Sequence, residues 1–356
     1  MASTWPAEVE LLRELVAIPS VSGQEGPAAE FVEARARQLG LDVVRDDTSV
    51  RAGVGDEQSG PTLVLASHLD VVPPGDGWTR DPFLPVIEGG MLYGRGSGDA
   101  KASLAAMLLA LGDLAKDGGP RTGRVLAIFS FGEETRHATM PEAVQRAGRL
   151  DAALVGEPTN LQFAIAQRGL MMVDLVARGT QRHAGYAADG EPNAIAALAG
   201  DLVRLDGIVA ERMHPVLGAT TVTPTMLHAG ISRNVTPPAA TAVLDVRSTP
   251  AWTHEELELA LRERLASEVT VTSRRLVPCE TPPNSRLLAA ARAVAPGAAL
   301  YGSPTCSDWC FLRHLDAIKV GPGTSRRSHT PDEAVDLAEV TAARAFYAGV
   351  ARRYLA

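Results

Sequence analysis

Four apolar, strand-like runs in this chain each lead to a histidine or a carboxylate, and this pattern constrains the fold more than any other feature. Leu63-Val64-Leu65-Ala66 runs into Ser67-His68-Leu69-Asp70. Val125 to Phe131 ends in Gly132-Glu133-Glu134. Ala152-Ala153-Leu154-Val155 ends in Gly156-Glu157-Pro158-Thr159. Ala317-Ile318-Lys319-Val320 leads through Gly321-Pro322-Gly323 to Ser328-His329-Thr330. The strands alternate with helices near 101–116 and 139–148. Such alternation predicts an α/β domain with a mainly parallel sheet. In such a sheet the functional loops lie beyond the carboxyl ends of the strands, and these acids and histidines fall there.

A fifth site comes from a glycine tract. Gly94-Arg95-Gly96-Ser97-Gly98-Asp99 lets the backbone bend sharply and presents Asp99 at the mouth of the apolar helix that follows. The tract does not read as a dinucleotide loop, because the G-x-G-x-x-G pattern needs glycine at position 99. Together these residues supply two imidazoles, several carboxylates of metal-ligand type and at least one carboxylate for acid–base work. Two divalent ions need a shared ligand, and a carboxylate can bridge them. Imidazole with oxygen ligands suits zinc or a related divalent metal. His68 and Asp70 share one side of an extended segment, so Asp70 is placed to hold the second ring nitrogen of His68. Adjacent Glu133 and Glu134 point to opposite sides, so one can bind metal while the other faces substrate.

Composition sets limits around this chemistry. The 356 residues suffice for two domains. The content of apolar residues is 46% and of aromatics only 4%, so the core is built from Ala, Leu and Val. A net charge of −8 argues against binding a phosphate backbone. Cys279, Cys306 and Cys310 cannot make a disulfide framework, which fits a reduced, cytoplasmic setting. Met1 to Glu10 does not read as a signal peptide. No apolar run approaches the roughly 18 residues of a membrane span.

The segment from 169 to 278 follows a different rhythm. Strands are expected at Leu170–Arg178, Ala219–Leu227, Ala240–Val246 and Val269–Arg274, with helices at Pro192–Leu205 and Thr253–Ala266. The order β-α-β-β-α-β is that of a ferredoxin-like unit. The expected organisation is a metallohydrolase domain formed by residues 1–168 and 279–356, with a ferredoxin-like α+β domain, residues 169–278, inserted between them.

The motifs His68-Leu69-Asp70-Val71-Val72-Pro73, Gly94 to Asp99, Gly132-Glu133-Glu134, Val155 to Thr159 and Ser328-His329-Thr330 occur in a familiar order. Across essentially the whole chain the sequence resembles the dinuclear-zinc family that contains acetylornithine deacetylase, succinyl-diaminopimelate desuccinylase, aminoacylase and glutamate carboxypeptidase. Gln167 to Met171, Asn234-Val235-Thr236-Pro237, Asp245-Val246-Arg247 and Gly302 to Asp308 look most like the acetylornithine deacetylase branch.

The resemblance implies two zinc ions per subunit, replaceable by cobalt. One would be held by His68, Asp99 and Glu157, the other by Asp99, Glu134 and His329, with Asp99 bridging. It implies amide hydrolysis by a water between the ions, with Glu133 as general base and then acid. His183 matches a histidine that stabilises the tetrahedral oxyanion from a neighbouring subunit, and Asn234 matches an asparagine of the same insertion. Arg182 departs from the pattern, since a glycine generally precedes that histidine. An isologous homodimer with shared sites is therefore expected; the alternative is a monomer whose insertion folds down as a lid.

The implied substrate is an N-acyl amino acid, foremost N2-acetyl-L-ornithine in arginine biosynthesis. N-acetylcitrulline, an N-succinyl diamino acid or a peptide are the alternatives, and a silent metal-binding dimer is the reading from another class. Arg168 and Arg247 are candidates for the substrate carboxylate through bidentate pairing; either can instead be structural, for example paired with Asp245. Gly323, in a loop with backbone donors and two arginines, is a further candidate for substrate binding. His137, His214, His228, His254 and His314 read as surface or local structural residues.

Overall fold

The computed structural model describes residues 5–135, 137–187 and 190–356. They fall into two compact units. The first comprises residues up to 165, 281–301 and 307–356; the second comprises 166–280 and 302–306.

The first unit is built on one mixed sheet in the order Asp42–Arg45, Ser49–Gly55, Arg124–Ser130, Thr62–His68, Ala152–Val155, Asp316–Lys319, Phe163–Gln167. Four central neighbours run parallel: Arg124–Ser130, Thr62–His68, Ala152–Val155 and Asp316–Lys319. Every residue of Thr62–His68 is buried, as expected of a strand covered on both faces. The α/β class expected from the alternation is the one observed. The register sets His68 opposite Ser130 and Ala66 opposite Val155. The chain segments that follow these strands therefore leave the sheet along one edge, and all carry candidate site residues.

The helix Lys101–Lys116 is buried along most of its length, from Lys101 through Leu108 and again from Ala110 to Gly112. It packs with the C-terminal helix Leu337–Tyr354 in the main core, beside Leu63, Leu65, Phe129 and Leu154. Two sheet strands, Ser49–Gly55 and Phe163–Gln167, are weakly marked in the sequence. Ser49–Gly55 carries Arg51, Gly53 and Gly55, yet its first five residues are buried; Phe163–Gln167 and the short Asp42–Arg45 edge complete the antiparallel margins.

The second unit has the element order Leu170–Arg178, Ala194–Val209, Thr221–Ala229, Ala239–Arg247, His254–Arg264, Glu268–Leu276. Its four strands form an antiparallel sheet with Ala239–Arg247 and Leu170–Arg178 in the centre. Alternate residues of the two central strands are buried against Leu198, Leu205, Leu257 and Leu261 of the helices. Asn193 caps the first helix, and Thr253 with Glu256 forms a capping box on the second. Thr221–Ala229 is an edge strand whose Met226 and Leu227 are 52% and 56% exposed.

Candidate metal centre and active site

His68 ends its strand fully buried. Its Nδ1 lies 2.9 Å from the Asp70 backbone carbonyl and 3.5 Å from Asp70 Oδ1. A carbonyl can only accept, so Nδ1 carries a proton and Nε2 is the nitrogen that would face a metal. Nε2 points at Asp99 Oδ1, 3.3 Å away, and at Glu157 Oε1, 3.9 Å away. The Asp70 carboxylate does more than face His68. It accepts the Glu133 and Glu134 N–H groups at 3.0 Å each and the Ser22 hydroxyl at 2.6 Å. Asp70 thus ties the loop carrying the glutamate pair to the strand end carrying His68.

The two glutamates diverge. Glu134 reaches His329, with Nε2 at 2.9 Å and 3.1 Å from its two oxygens. Glu133 lies on the other side, next to His137. His329 sits at a left-handed backbone position, φ +62°, and its Nε2 is 3.7 Å from Asp99 Oδ2. Asp99 therefore turns one oxygen to each histidine, the disposition a bridging carboxylate needs.

Glu157 is brought in by close backbone approach. A Cβ on Gly321 would lie 2.6 Å from the Glu157 carbonyl oxygen and 2.3 Å from Ser103 Oγ. Only glycine fits there. Asp99 is held from below: Glu333 accepts the backbone N–H groups of Gly96, Gly98 and Asp99 at 2.9–3.0 Å, and the Arg95 guanidinium at 2.7 Å. Glu333 and Arg95 are each 1% exposed. Nothing in the local sequence around Glu333 marks this role, because its partners are more than 230 residues away.

The donor set fits divalent metal. The ligand atoms of His68, Asp99 and Glu134 all lie within 4.8 Å of one another. Burial and the nearby Asp99 push Glu157 up to about 8, and the same two causes raise Glu134. Carboxylates crowded in this way are relieved by cations placed between them. Imidazole nitrogen with carboxylate oxygen suits zinc or a similar ion. Burial, followed by the Glu157 and Asp308 charges, holds Glu133 well above the usual carboxylate range.

Other sequence candidates fall out differently. Arg168 donates to the carbonyls of Ala219, Arg247 and Leu217 at 2.6–3.0 Å, so its guanidinium fastens the second unit together. Arg247 makes a two-pronged ion pair with Asp245 at 2.7 Å and 3.0 Å. The Gly323 N–H donates to Glu339 at 2.7 Å. His183 and Asn234 meet on an exposed ribbon, where His183 pairs with Val235 and the Ala184 N–H donates to the Asn234 carbonyl at 2.7 Å. The Gly185 N–H donates to His183 Nδ1, which leaves the proton on Nε2 and makes Nε2 a donor. Arg182 pairs with Glu191 at 2.9 Å.

Two of the histidines read as surface or local structural residues are structural here, and a third reaches the site. His214 is buried against Glu280, and His254 bridges Ser248 and the Arg274 carbonyl. His137 contacts Glu133 itself. Its position four residues after Glu133 was the available signal; the bond from the His137 N–H to the Gly132 carbonyl brings residue 137 back beside it.

A family model described as peptidase family M20/M25/M40 matches residues 64–353. A succinyl-diaminopimelate desuccinylase of Methylorubrum populi is 32% identical, over 97% of this chain and 97% of that protein. Among solved structures, an aminopeptidase PepT of Bacillus cereus superposes with a TM-score of 0.80 at 18% identity, covering 98% of both chains. A dinuclear metal-binding M20 peptidase of Bacillus subtilis superposes at 0.75 with 16% identity, over 97% of this chain and 96% of the other. Among the described residues no helix is long and apolar enough to cross a membrane.

Proposed function

The chain belongs to peptidase family M20/M25/M40, and from that premise we propose that it hydrolyses the amide bond of an N-acyl diamino acid. Metal-dependent amidohydrolysis is the chemistry of this family and of its relatives. The observation that carries the reading is Asp99, with one oxygen toward His68 and the other toward His329, beside a separate buried Glu133. His68, Asp99 and Glu157 would hold one divalent ion, such as zinc, and Asp99, Glu134 and His329 a second; when bound, such ions would activate a water and polarise the scissile carbonyl.

The chain's own groups do the remaining work. Glu133 takes the proton of the attacking water at its carboxylate. It then hands that proton on to the amine as the amine leaves. The water oxygen joins the acyl carbon, the C–N bond breaks, and the proton goes to the amine nitrogen. Glu133 itself is held by its backbone N–H on Asp70. His183 Nε2 donates to the developing oxyanion, a contribution of about 3–4 kcal/mol in comparable sites. In this reading His183 and Asn234 serve the partner's site in a homodimer. The exposed edge strand Thr221–Ala229 supports such pairing, since a free edge readily meets a copy of itself.

Within the class, N2-acetyl-L-ornithine is favoured by the motifs around Arg168, Asn234 and Arg247. An N-succinyl diamino acid is favoured by the names of the relatives at 30–32% identity. Assaying zinc-loaded protein in parallel on N-acetylornithine, N-acetylcitrulline and N-succinyl-diaminopimelate tests the proposal. Release of acetate or succinate, abolished by chelator and restored by zinc, is expected for at least one diamino acid. Hydrolysis of dipeptides alone, or of nothing, would overturn it.

A further inference from the structure

Beside the proposed ligands stands a second acid–imidazole group. His137 Nδ1 lies 3.0 Å from Asp308 Oδ1 and 3.4 Å from Glu133 Oε1. The Ser130 hydroxyl donates to the other Asp308 oxygen at 2.7 Å. All three side chains are largely buried: 8% of Glu133, 4% of Asp308 and 13% of His137 is exposed. We propose that His137, anchored by Asp308, is a positioning residue that fixes the Glu133 carboxylate for proton transfer. The proposal rests on the amidohydrolase reading, in which Glu133 carries the proton.

Asp70 holds the Glu133 backbone N–H at 3.0 Å, which fixes the Cα but none of the rotatable bonds beyond it. The carboxylate end needs its own restraint, because a free glutamate side chain samples many rotamers. One Nδ1–H edge faces both Asp308 and Glu133. Asp308 takes the shorter bond and is itself held by Ser130 at the strand end, so it anchors the ring edge that Glu133 also meets. The same edge then lies between two buried carboxylates whose mutual repulsion would otherwise turn the longer, less restrained Glu133 aside.

The backbone is shaped to allow this. His137 N–H donates to the Gly132 carbonyl at 2.9 Å, with Gly132 at φ +64° and His137 at φ +46°. This bond sets residue 137 beside residue 133. A left-handed histidine is uncommon, and strain of this kind collects where a side chain must be aimed.

Two full-length, zinc-loaded variants test the proposal. His137→Gly removes the ring and His137→Asn keeps an amide nitrogen close to the Nδ1 position; both residues accept the left-handed backbone. Loss of positioning predicts that kcat falls roughly 10- to 100-fold in His137→Gly while KM stays within about threefold. Zinc content should be unchanged, and His137→Asn should recover most of the rate. A crystal structure of zinc-loaded His137→Gly should show the Glu133 carboxylate displaced from its wild-type place. Wild-type kcat in His137→Gly, equal defects in both variants, loss of zinc, or an unmoved Glu133 would each overturn the proposal. If the wild-type protein hydrolyses no N-acyl amino acid, the functional reading falls instead, and the crystallographic comparison still decides whether His137 fixes Glu133.

Discussion

Glu333 accepts the backbone N–H of Asp99 at 3.0 Å, joining the carboxylate that faces both histidines to the segment just after His329. The same carboxylate neutralises the buried Arg95 guanidinium. Glu333→Ala would leave Arg95 without its buried counter-charge and three N–H groups without an acceptor. Removing one partner of a buried ion pair costs about 3–5 kcal/mol. Urea unfolding of the metal-free protein should show a loss of that size, and the variant should bind less zinc. A loss within the error of extrapolation would show that water replaces the carboxylate without penalty.

Gly321 offers a sharper geometric test. An added methyl group would press on the Glu157 carbonyl oxygen, at 2.6 Å, and on Ser103 Oγ, at 2.3 Å. Gly321→Ala should therefore move the Glu157 strand end and weaken one of the two metal positions. Titration with zinc is expected to show one tight and one weakened site. Two unaltered affinities would mean that the loop yields elsewhere.

The strand ends were legible because their chemistry is local. An apolar run closing on His68 or on Glu133-Glu134 announces both a buried strand and a polar task for its end, and the parallel register then brings these ends together. Ser49–Gly55 was not legible, since Arg51 and two glycines hide a strand whose burial comes only from its neighbours. Glu333 and Asp308 were missed for a different reason: their partners are set by loop closure over long separations, and no spacing rule reports that. His137 stands only four residues after Glu133, but a lone histidine at that spacing does not announce a contact with it. Arg168 was left open by the sequence between a substrate carboxylate and a structural role, because a guanidinium suits either; in the fold it meets three backbone carbonyls.

Metal binding should release protons. Burial and Asp99 push Glu157 up to about 8 in the metal-free protein. Burial works against the charged form of His68, but Asp70 and Asp99 outweigh it and hold the imidazole well above its usual value. Both groups must be deprotonated to ligate. For each, the free state holds a proton below its raised pKa and the bound state does not. Zinc affinity should therefore fall as the pH drops below about 8, and calorimetry in buffers of different ionisation enthalpy should report net proton release at pH 7. Zero release there would contradict the raised values.

Shared sites make a prediction about mixtures. In the proposed homodimer the Glu133 carboxylate belongs to one subunit and the His183 donor to the other. Glu133→Gln and His183→Ala homodimers should each be nearly inactive, the first through loss of the proton carrier and the second through loss of a donor whose removal costs roughly 100- to 1,000-fold in kcat. A heterodimer of the two has one site with both defects and one with neither. Mixing under conditions where subunits exchange, with exchange verified by differently tagged chains, should restore activity toward half the wild-type value per heterodimer. Activity that stays at the level of the parents despite verified exchange would place His183 in its own subunit's site, or outside the reaction altogether.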